Sequence, residues 1–498
     1  MLKAESADIL ARLTALRCAD APTHGGRVLS YVYDSGIPEL DELAAAAMRA
    51  VQPVNGLDPT TFTSVAVLES ETVAFARELV NGPSPAEGAA GVVGSVTSGG
   101  TESCLLAVKT ARDVWRAAGG VGQPRLLAPV TVHAAFHKAA EYFGLTLDLV
   151  DVDHATGALR ASDLVARLSE DVALVVVSAP SYPYAGLDPV EPVAAACQGA
   201  GIACHVDACV GGWILPFWPA SDNGQAEESR WDFRVPGVTS MSLDVHKFGY
   251  VPKGVSVLLQ RGRDRQRHQF FATTRWPGYP VVNPTMLGSK SVGALAAAWA
   301  VIQWLGRDGY RELAASCARS THALIALVDG LAGLRVVGTP TGPLFAVATD
   351  ETAPEAVRVD PHHWVDRLQT YGWRLQLQPG FTQTDGTHLP HTAHLTITPV
   401  TEKILPELSA AMVTAADEVR GIPADSAVSL GGVGARDVPT SEAAFTVLSR
   451  IGLAPDGPGD TLPDEMAPFL SLIESLPHSL TERLLIELLA RIVEPPTK

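Results

Sequence analysis

The chain has 498 residues, 47% of them hydrophobic and 18% charged, enough for about two to four domains with cores of their own. Lys and Arg number 37 against 54 Asp and Glu, and the net charge of −17 repels nucleic-acid phosphates and anionic lipid surfaces. Six scattered cysteines without CxxC spacing, no usable Asn-x-Ser/Thr sequon and no apolar run long enough for a bilayer indicate reduced thiols in a soluble, cytoplasmic protein with neither a nucleic-acid nor a membrane partner.

Residues 1–50 read as two amphipathic helices around a turn from Pro22 to Arg27, the second helix running from Ile37 to Val51. From about 60 to 260, continuous apolar runs such as Ala173–Val177, Ile202–Val206 and Val255–Leu259 alternate with Ala/Leu-rich helical stretches, the pattern of a parallel sheet covered on both faces. Helices follow over Gly293–Leu305 and Tyr310–Leu331. Beyond Gly333 come short strands (Leu334–Val337, Leu344–Ala348, Arg374–Gln378, His394–Thr398) and a helix, Pro361–Tyr371, which together make a smaller α+β domain. Residues 421–464 are rich in Gly, Pro, Ser and Asp and read as linker, and Phe469–Val493 closes the chain as helix broken near Pro477. The expected units are a helical arm (1–58), a large α/β domain (59–330), a small α+β domain (331–420) and a C-terminal extension (421–498).

Four segments carry chemistry. In Gly94–Ser103, a Gly/Ser/Thr-rich turn enters a helix, so free amides and the positive dipole end face an anion, with the hydroxyls of Ser98, Thr101 and Ser103 nearby. Taken alone, an ordinary helix cap explains it as well. In Thr131–Lys138, His133 and His137 stand four apart like helical metal ligands, but no acidic third ligand adjoins them. A flat imidazole on a flat ring, or a packed His, are the remaining readings. In His205–Gly212, Asp207 follows a buried strand, where parallel sheets bind ligands, although a capping Asp would sit there too. In Ser242–Gly254, Lys247 is flanked by His246 and aromatics, and an apolar pocket would disfavour its ammonium form. Together the four suit pyridoxal 5'-phosphate: phosphate on the helix start, His133 over the ring, Asp207 on the pyridine nitrogen and Lys247 as the imine-forming amine. Gly431–Gly434 follows no clear strand and is a poor dinucleotide loop. His388, His391 and His394 could bind a metal, but no metal is assigned.

The strings VTSGGTES, VHAAFHKAAEYFG, HVDACVGG and DFRVPGVTSMSLDVHKFGYVPKG, with GRVLSYVY and LGSK more weakly, resemble the sphingosine-1-phosphate lyase family. That family lies within the fold-type-I, aspartate aminotransferase-like pyridoxal enzymes of the group II decarboxylase superfamily. The resemblance covers about residues 26–400. It implies an α/β fold with a mostly parallel central sheet and a smaller α+β domain. It also implies that Gly100 and Thr101 hold the cofactor phosphate, that His246 lies beside the lysine, and that Lys253 and His394 face the substrate. By the same resemblance the protein is a homodimer with shared sites, to which Tyr33, Asn55 and Ser289 of the partner subunit contribute. Departures fall at the substrate end: Asp58 where the family has histidine, Val281 where it has tyrosine (Tyr279 is near), Lys290 where it has arginine, and a longer loop from Pro379 to Pro390.

The resemblance implies retro-aldol Cα–Cβ cleavage of a β-hydroxyamine, possibly phosphorylated, to an aldehyde and an amine. Tyr33, Lys253 and released Lys247 are the candidate proton carriers. An amino-acid α-decarboxylase, a carbon–carbon bond-forming enzyme and a dead-site binding protein are the alternatives; the intact Lys247, Asp207 and His133 argue against the last.

Overall fold

A computed structural model describes residues 6–219, 230–425, 440–454, 463 and 465–495. The apolar runs become β1 (Val92–Thr97), β2 (Arg125–Pro129), β3 (Thr146–Val150), β4 (Val172–Ser178), β5 (Ala203–Asp207), β6 (Ser240–Leu243) and β7 (Ser256–Arg261), ordered β1-β7-β6-β5-β4-β2-β3 in one sheet. Every β4 and β5 residue is buried, as strands covered on both faces require. The β6-β5-β4-β2-β3 pairs are parallel; β7 runs against both neighbours, so the predicted run Val255–Leu259 is the reversed strand. The carboxyl ends of β1, β4, β5 and β6 therefore open on the same side, where such sheets place ligands. In register, Ser178, Asp207 and Ser242 are neighbours across three strands.

The arm comprises α1 (Ser6–Arg17) and α2 (Pro38–Ala50), the latter laid on the long α9 (Gly293–Asp329). The two helices predicted between Gly293 and Leu331 run as one element, bent at Gly306 with φ 52°, a left-handed value that suits glycine. The sheet is covered by α3 (Thr63–Leu79), α4 (Gly100–Ala117), α5 (Ala134–Phe143), α6 (Ala161–Val165), α7 (Val190–Ala200) and α8 (Arg263–Arg267). A hairpin of β8 (Phe271–Thr273) and β9 (Val281–Asn283) projects near the start of α9.

The small domain is the sheet β10-β11-β15-β12 (Leu334–Val336, Leu344–Thr349, Thr392–Thr396 and Gln376–Gln378) with α10 (Pro361–Thr370) and α11 (Thr401–Val419). Its own core includes Trp364, wholly buried, whose indole donates to the Met412 carbonyl at 3.0 Å. The arm is not separate from it: Leu29 N–H bonds Arg374 O at 2.8 Å, and Thr396 N–H bonds Leu29 O at 2.8 Å. The extra loop at Pro379–Pro390 is a hairpin, β13 (Phe381–Thr382) with β14 (His388–Leu389). Within the stretch read as linker lies a helix, α12 (Ser441–Arg450), which packs with α13 (Ala467–Ser475) and α14 (His478–Ile492) around Val447, Leu448, Leu480 and Leu484. Gly431–Gly434 lies outside the described residues. Among the described residues no helix is long and apolar enough to cross a membrane.

Beneath the site, Asp188 is buried and accepts from Ser178 N–H at 2.7 Å. Burial pushes its carboxyl up to about 7, with Asp207 adding to the rise against the hydrogen bond. Between the unfolded value near 4 and that folded value the native state holds the extra proton, so this group's contribution falls as pH rises. The gain in Tm from Asp188→Asn should therefore be larger at pH 8 than at pH 5. Thermal melts showing a pH-independent difference would contradict this.

Candidate active site

The β1–α4 junction supplies the anion cradle. Gly99 has φ 151°, and a Cβ at Gly100 would stand 2.5 Å from Asp244 Oδ2, so this backbone must be bare. Glu102 caps the turn from within, accepting from Ser98 N–H at 2.6 Å. Thr101 is exposed at the cavity. Ser103 is not available: it is buried, its hydroxyl 2.7 Å from that of Thr97 and 2.9 Å from that of Ser256.

His133 caps α5, its Nδ1 accepting from Ala135 N–H at 3.1 Å, so the neutral ring carries its proton on Nε2. Burial, partly opposed by Asp207, lowers its pKa; the ring is sunk in the cleft yet open to it. Among the described residues, the His/Cys/acid group of metal-binding spacing is Cys104, Asp207 and Cys209, and His133 and His137 do not belong to it. Asp207 ends β5 and accepts from Cys209 N–H (3.0 Å) and Ser242 Oγ (3.3 Å). Burial alone would raise its pKa, but His133, Lys247 and the Cys209 bond outweigh burial, and the carboxyl stays below its usual value and ionised. Two residues back on β5, His205 is wholly buried between Ser240 and Ser242, and burial brings it to about 4, so it is neutral.

Lys247 stands 3.1 Å from Asp244 Oδ2, three residues before it. Burial pulls its pKa down, yet Asp244, Tyr33, Cys209 and Asp207 more than compensate and the pKa is raised. The expectation of a destabilised ammonium is thus overturned: the pocket is polar and negative, not apolar. Asp244 itself was passed over, although its place three residues before a candidate lysine is the spacing of an ion pair within one turn. His246 donates from Nδ1 to Val255 O at 2.8 Å and turns Nε2 toward Asp244. These groups line a cavity of about 340 Å³.

It opens into a second of about 670 Å³, with His133, Tyr182, His246 and Lys247 shared by both. Here Tyr33 packs edge-on to Phe248, and Lys253 Nζ sits 4.5 Å from the Tyr33 ring centre. Burial, helped by Lys247, lowers Lys253 to about 8. Tyr31, Gln376, Leu377, Phe381 and Leu389 complete this outer wall; none was singled out from the sequence, because they come from loops and the small domain. Tyr33 reaches this cleft within one chain rather than across a dimer.

Three expected contacts lie elsewhere. His394 is wholly buried and stacks behind Tyr182 at 4.3 Å, so it supports the wall rather than facing the cleft. Asn55 donates to Ser289 Oγ at 3.1 Å, and neither lines the Lys247 cleft of its own chain. Asp58 is exposed and bonded to the amides and hydroxyls of Thr60 and Thr61, which hold it at about 2 as a charged turn cap. His391 and His388 do not gather on His394: His391 pairs with Asp360 at 2.7 Å, and His388 lies 3.3 Å from Thr382 Oγ1.

The donor set fits pyridoxal phosphate: bare amides at a helix start for the phosphate, an imidazole in the cleft, an ionised strand-end carboxylate and a lysine amine. Comparison with known proteins agrees. The pyridoxal-dependent decarboxylase conserved domain matches residues 40–342, and a C-terminal domain of pyridoxal-dependent enzymes, named for a helix-turn-helix, matches 424–491. A sphingosine-1-phosphate lyase of Dictyostelium discoideum is 31% identical over 446 residues, covering 89% of this chain and 79% of that protein. That of Arabidopsis thaliana is 35% identical, over 72% of this chain and 63% of its own length. Among solved structures, a Burkholderia pseudomallei sphingosine-1-phosphate lyase superposes with TM-score 0.75 at 30% identity, covering 84% of this chain and 92% of that one. A Lactobacillus brevis glutamate decarboxylase, at 20% identity and TM-score 0.72, shares the fold. The chain belongs to the pyridoxal-dependent decarboxylase family, among its sphingosine-1-phosphate lyases, and pyridoxal phosphate is its cofactor.

Proposed function

We propose that the protein cleaves a long-chain 2-amino-3-hydroxy compound between its amine- and hydroxyl-bearing carbons, releasing an aldehyde and an amine. The observation that carries this reading is Lys253: a second amine in the same cleft as Lys247, lowered to about 8 and set over Tyr33. When bound, pyridoxal phosphate supplies an aldehyde for the substrate amine and a ring that takes up the electrons left at the amine-bearing carbon. Ser98, Gly99, Gly100 and Thr101 would hold its phosphate at the α4 start, with His246 beside them. His133 would pack on the ring, and ionised Asp207 would favour a proton on the ring nitrogen. Lys247 would carry the cofactor, and its amine, when free, would return a proton to carbon. Neutral Lys253, or Tyr33 through it, accepts the hydroxyl proton whose loss drives the bond to break.

A homodimer completes the site. Around the β8–β9 hairpin Phe271, Trp276, Tyr279, Val282 and Met286 are exposed, an apolar surface that a second copy would cover. Ser289, which follows the hairpin in the chain, is bonded to Asn55, and with Asp58 they would serve the neighbouring cleft. Asp58, held ionised by Thr60 and Thr61, would weaken a phosphate contact there relative to a histidine, so Asp58→His should improve use of a phosphorylated amine. Net charge −17 and free cysteines support a cytoplasmic location without nucleic-acid partners.

Purified holoprotein given a C18 2-amino-3-hydroxyalkyl phosphate, its unphosphorylated form and a panel of amino acids should release long-chain aldehyde without CO₂. Release of CO₂ from an amino acid, with no aldehyde, would make it a decarboxylase instead.

A further inference from the structure

The hairpin β13–β14 forms part of the cleft's outer wall through Phe381 and Leu389. A two-stranded hairpin of two residues per strand is not stable alone, so something must hold it. Its inner side is tied to the large domain, where Gln383 bonds Val152 N–H at 2.8 Å and Val152 O at 2.9 Å. Its outer side is tied to the C-terminal helices. Glu474, in the last turn of α13, accepts from Gly380 N–H at 2.8 Å and lies 3.8 Å from His391 Nδ1. The His478 ring, opening α14, stacks on Phe381 at 5.9 Å and 26°. A Cβ at Gly380 would crowd the His388 ring, at 2.6 Å from Nε2, and the Leu389 carbonyl at 3.1 Å.

The helices are themselves anchored. Asp366 on α10 accepts from Met466 and Ala467 N–H at 2.9 and 2.8 Å, capping the start of α13. Both ends of the hairpin meet the same α10: His362 reaches Gln378 O at 3.0 Å, and His391 bonds Asp360, which caps α10. A continuous path of bonds therefore runs from the C-terminal helices to the substrate wall.

We propose that the C-terminal helical unit is a working part of the substrate cleft, in which Glu474 is a positioning residue that holds the Phe381–Leu389 wall against the substrate's long chain. Nucleic-acid binding, the role its helix-turn-helix name suggests, does not fit its charge: residues 421–498 carry five Lys and Arg against eleven Asp and Glu. Nor does α14 offer a basic face: Leu485, Ile486 and Leu489 are exposed on it, Val493 is exposed just past its end, and the exposed Arg483 stands beside the exposed Glu482.

The substrate half of this proposal rests on the lyase reading above; the structural half does not. With the holoenzyme, Glu474→Ala should raise KM for the C18 2-amino-3-hydroxyalkyl phosphate about tenfold, the loss expected for one charged hydrogen bond, with kcat little changed. Binding of 2-aminoethyl phosphate, too short to reach the wall, should stay within about twofold in an absorbance titration. Glu474→Gln keeps an acceptor for Gly380 N–H and should restore most of the affinity. His478→Ala should act in the same direction, more weakly. In parallel, amide hydrogen exchange over residues 379–391 should quicken in Glu474→Ala while α10 stays protected. Equal weakening of both amines, or a protected hairpin in Glu474→Ala, overturns the proposal. A hairpin that loosens in an enzyme inactive on the long-chain amine confirms the clamp and refutes the assigned substrate.

Discussion

Lys247→Ala is expected to abolish turnover, with kcat down on the order of 10³-fold or more, and to leave no cofactor covalently trapped after borohydride. In the wild-type protein the trapped mass should map to the peptide spanning 240–254. The reason lies in the surroundings of the amine. Lys247 Nζ is 3.1 Å from Asp244, and Asp207 is close enough to raise its pKa further. Removing it deletes the nucleophile and leaves two buried carboxylates without their cation, so cofactor affinity falls along with rate. The fold should survive, because Lys247 lies at a strand-end loop and not in a core. The same geometry fixes a pH dependence. A raised pKa keeps the amine protonated without the cofactor, and only the neutral amine attacks an aldehyde, so cofactor uptake by the apoprotein should quicken as pH rises. Asp244→Asn should remove much of that acceleration by lowering the lysine pKa. Stopped-flow mixing with pyridoxal phosphate between pH 6 and 9 reads both effects. A pH-independent uptake rate, or a labelled peptide elsewhere, would be incompatible with this placement.

What the sequence showed of this site were groups whose chemistry is tied to a strand end or a helix start. Asp207 after Ile202–Val206 and the Gly/Ser/Thr turn before α4 were legible because continuous apolar strands and bare-backbone turns leave strong local patterns. Charge state was not legible. The aromatics around Lys247 suggested an apolar pocket, whereas its electrostatics come from Asp244 and Asp207, brought together only when β5 and β6 pair. Strand direction was hidden for a similar reason: Val255–Leu259 has the composition of its parallel neighbours, and only the short loop after Lys247 turns it back. His394 reads as a polar tip on an alternating strand, but stacking on Tyr182 turns it into wall support. Helix α12 was concealed by the Gly- and Pro-rich composition on either side of it, since low-complexity flanks mask a ten-residue amphipathic segment.

The cofactor end and the substrate end of the cleft are thus built by different logics. At the cofactor end, neighbouring strand ends of one sheet deliver every group, with hydrogen bonds that fix tautomer and charge. At the substrate end, the walls come from the arm, the small domain and the C-terminal helices, so affinity for the chain can change without disturbing the chemistry. Exchange of residues such as Asp58, Val281 and Lys290 fits that division.

Asp207→Asn tests the cofactor end. The amide keeps the shape of the side chain and can still accept from Cys209 N–H, so Tm should fall by little. Its loss is the charge. Asp207 is ionised despite deep burial because His133, Lys247 and the Cys209 amide stabilise the carboxylate. An ionised group in a low-dielectric site favours a proton on the ring nitrogen facing it far more than a neutral amide does. If that preference is worth about 3–4 kcal/mol, in the range of a lost buried charge partner, kcat should fall by roughly 10²–10³-fold. Cofactor should remain bound through the α4 cradle and Lys247. His133 should show the second sign of the change: without the carboxylate that raises it, its pKa should drop further, read by NMR of the ring protons. A variant with wild-type kcat, or one in which His133 titrates unchanged, would place the ring nitrogen elsewhere and remove Asp207 from the reaction.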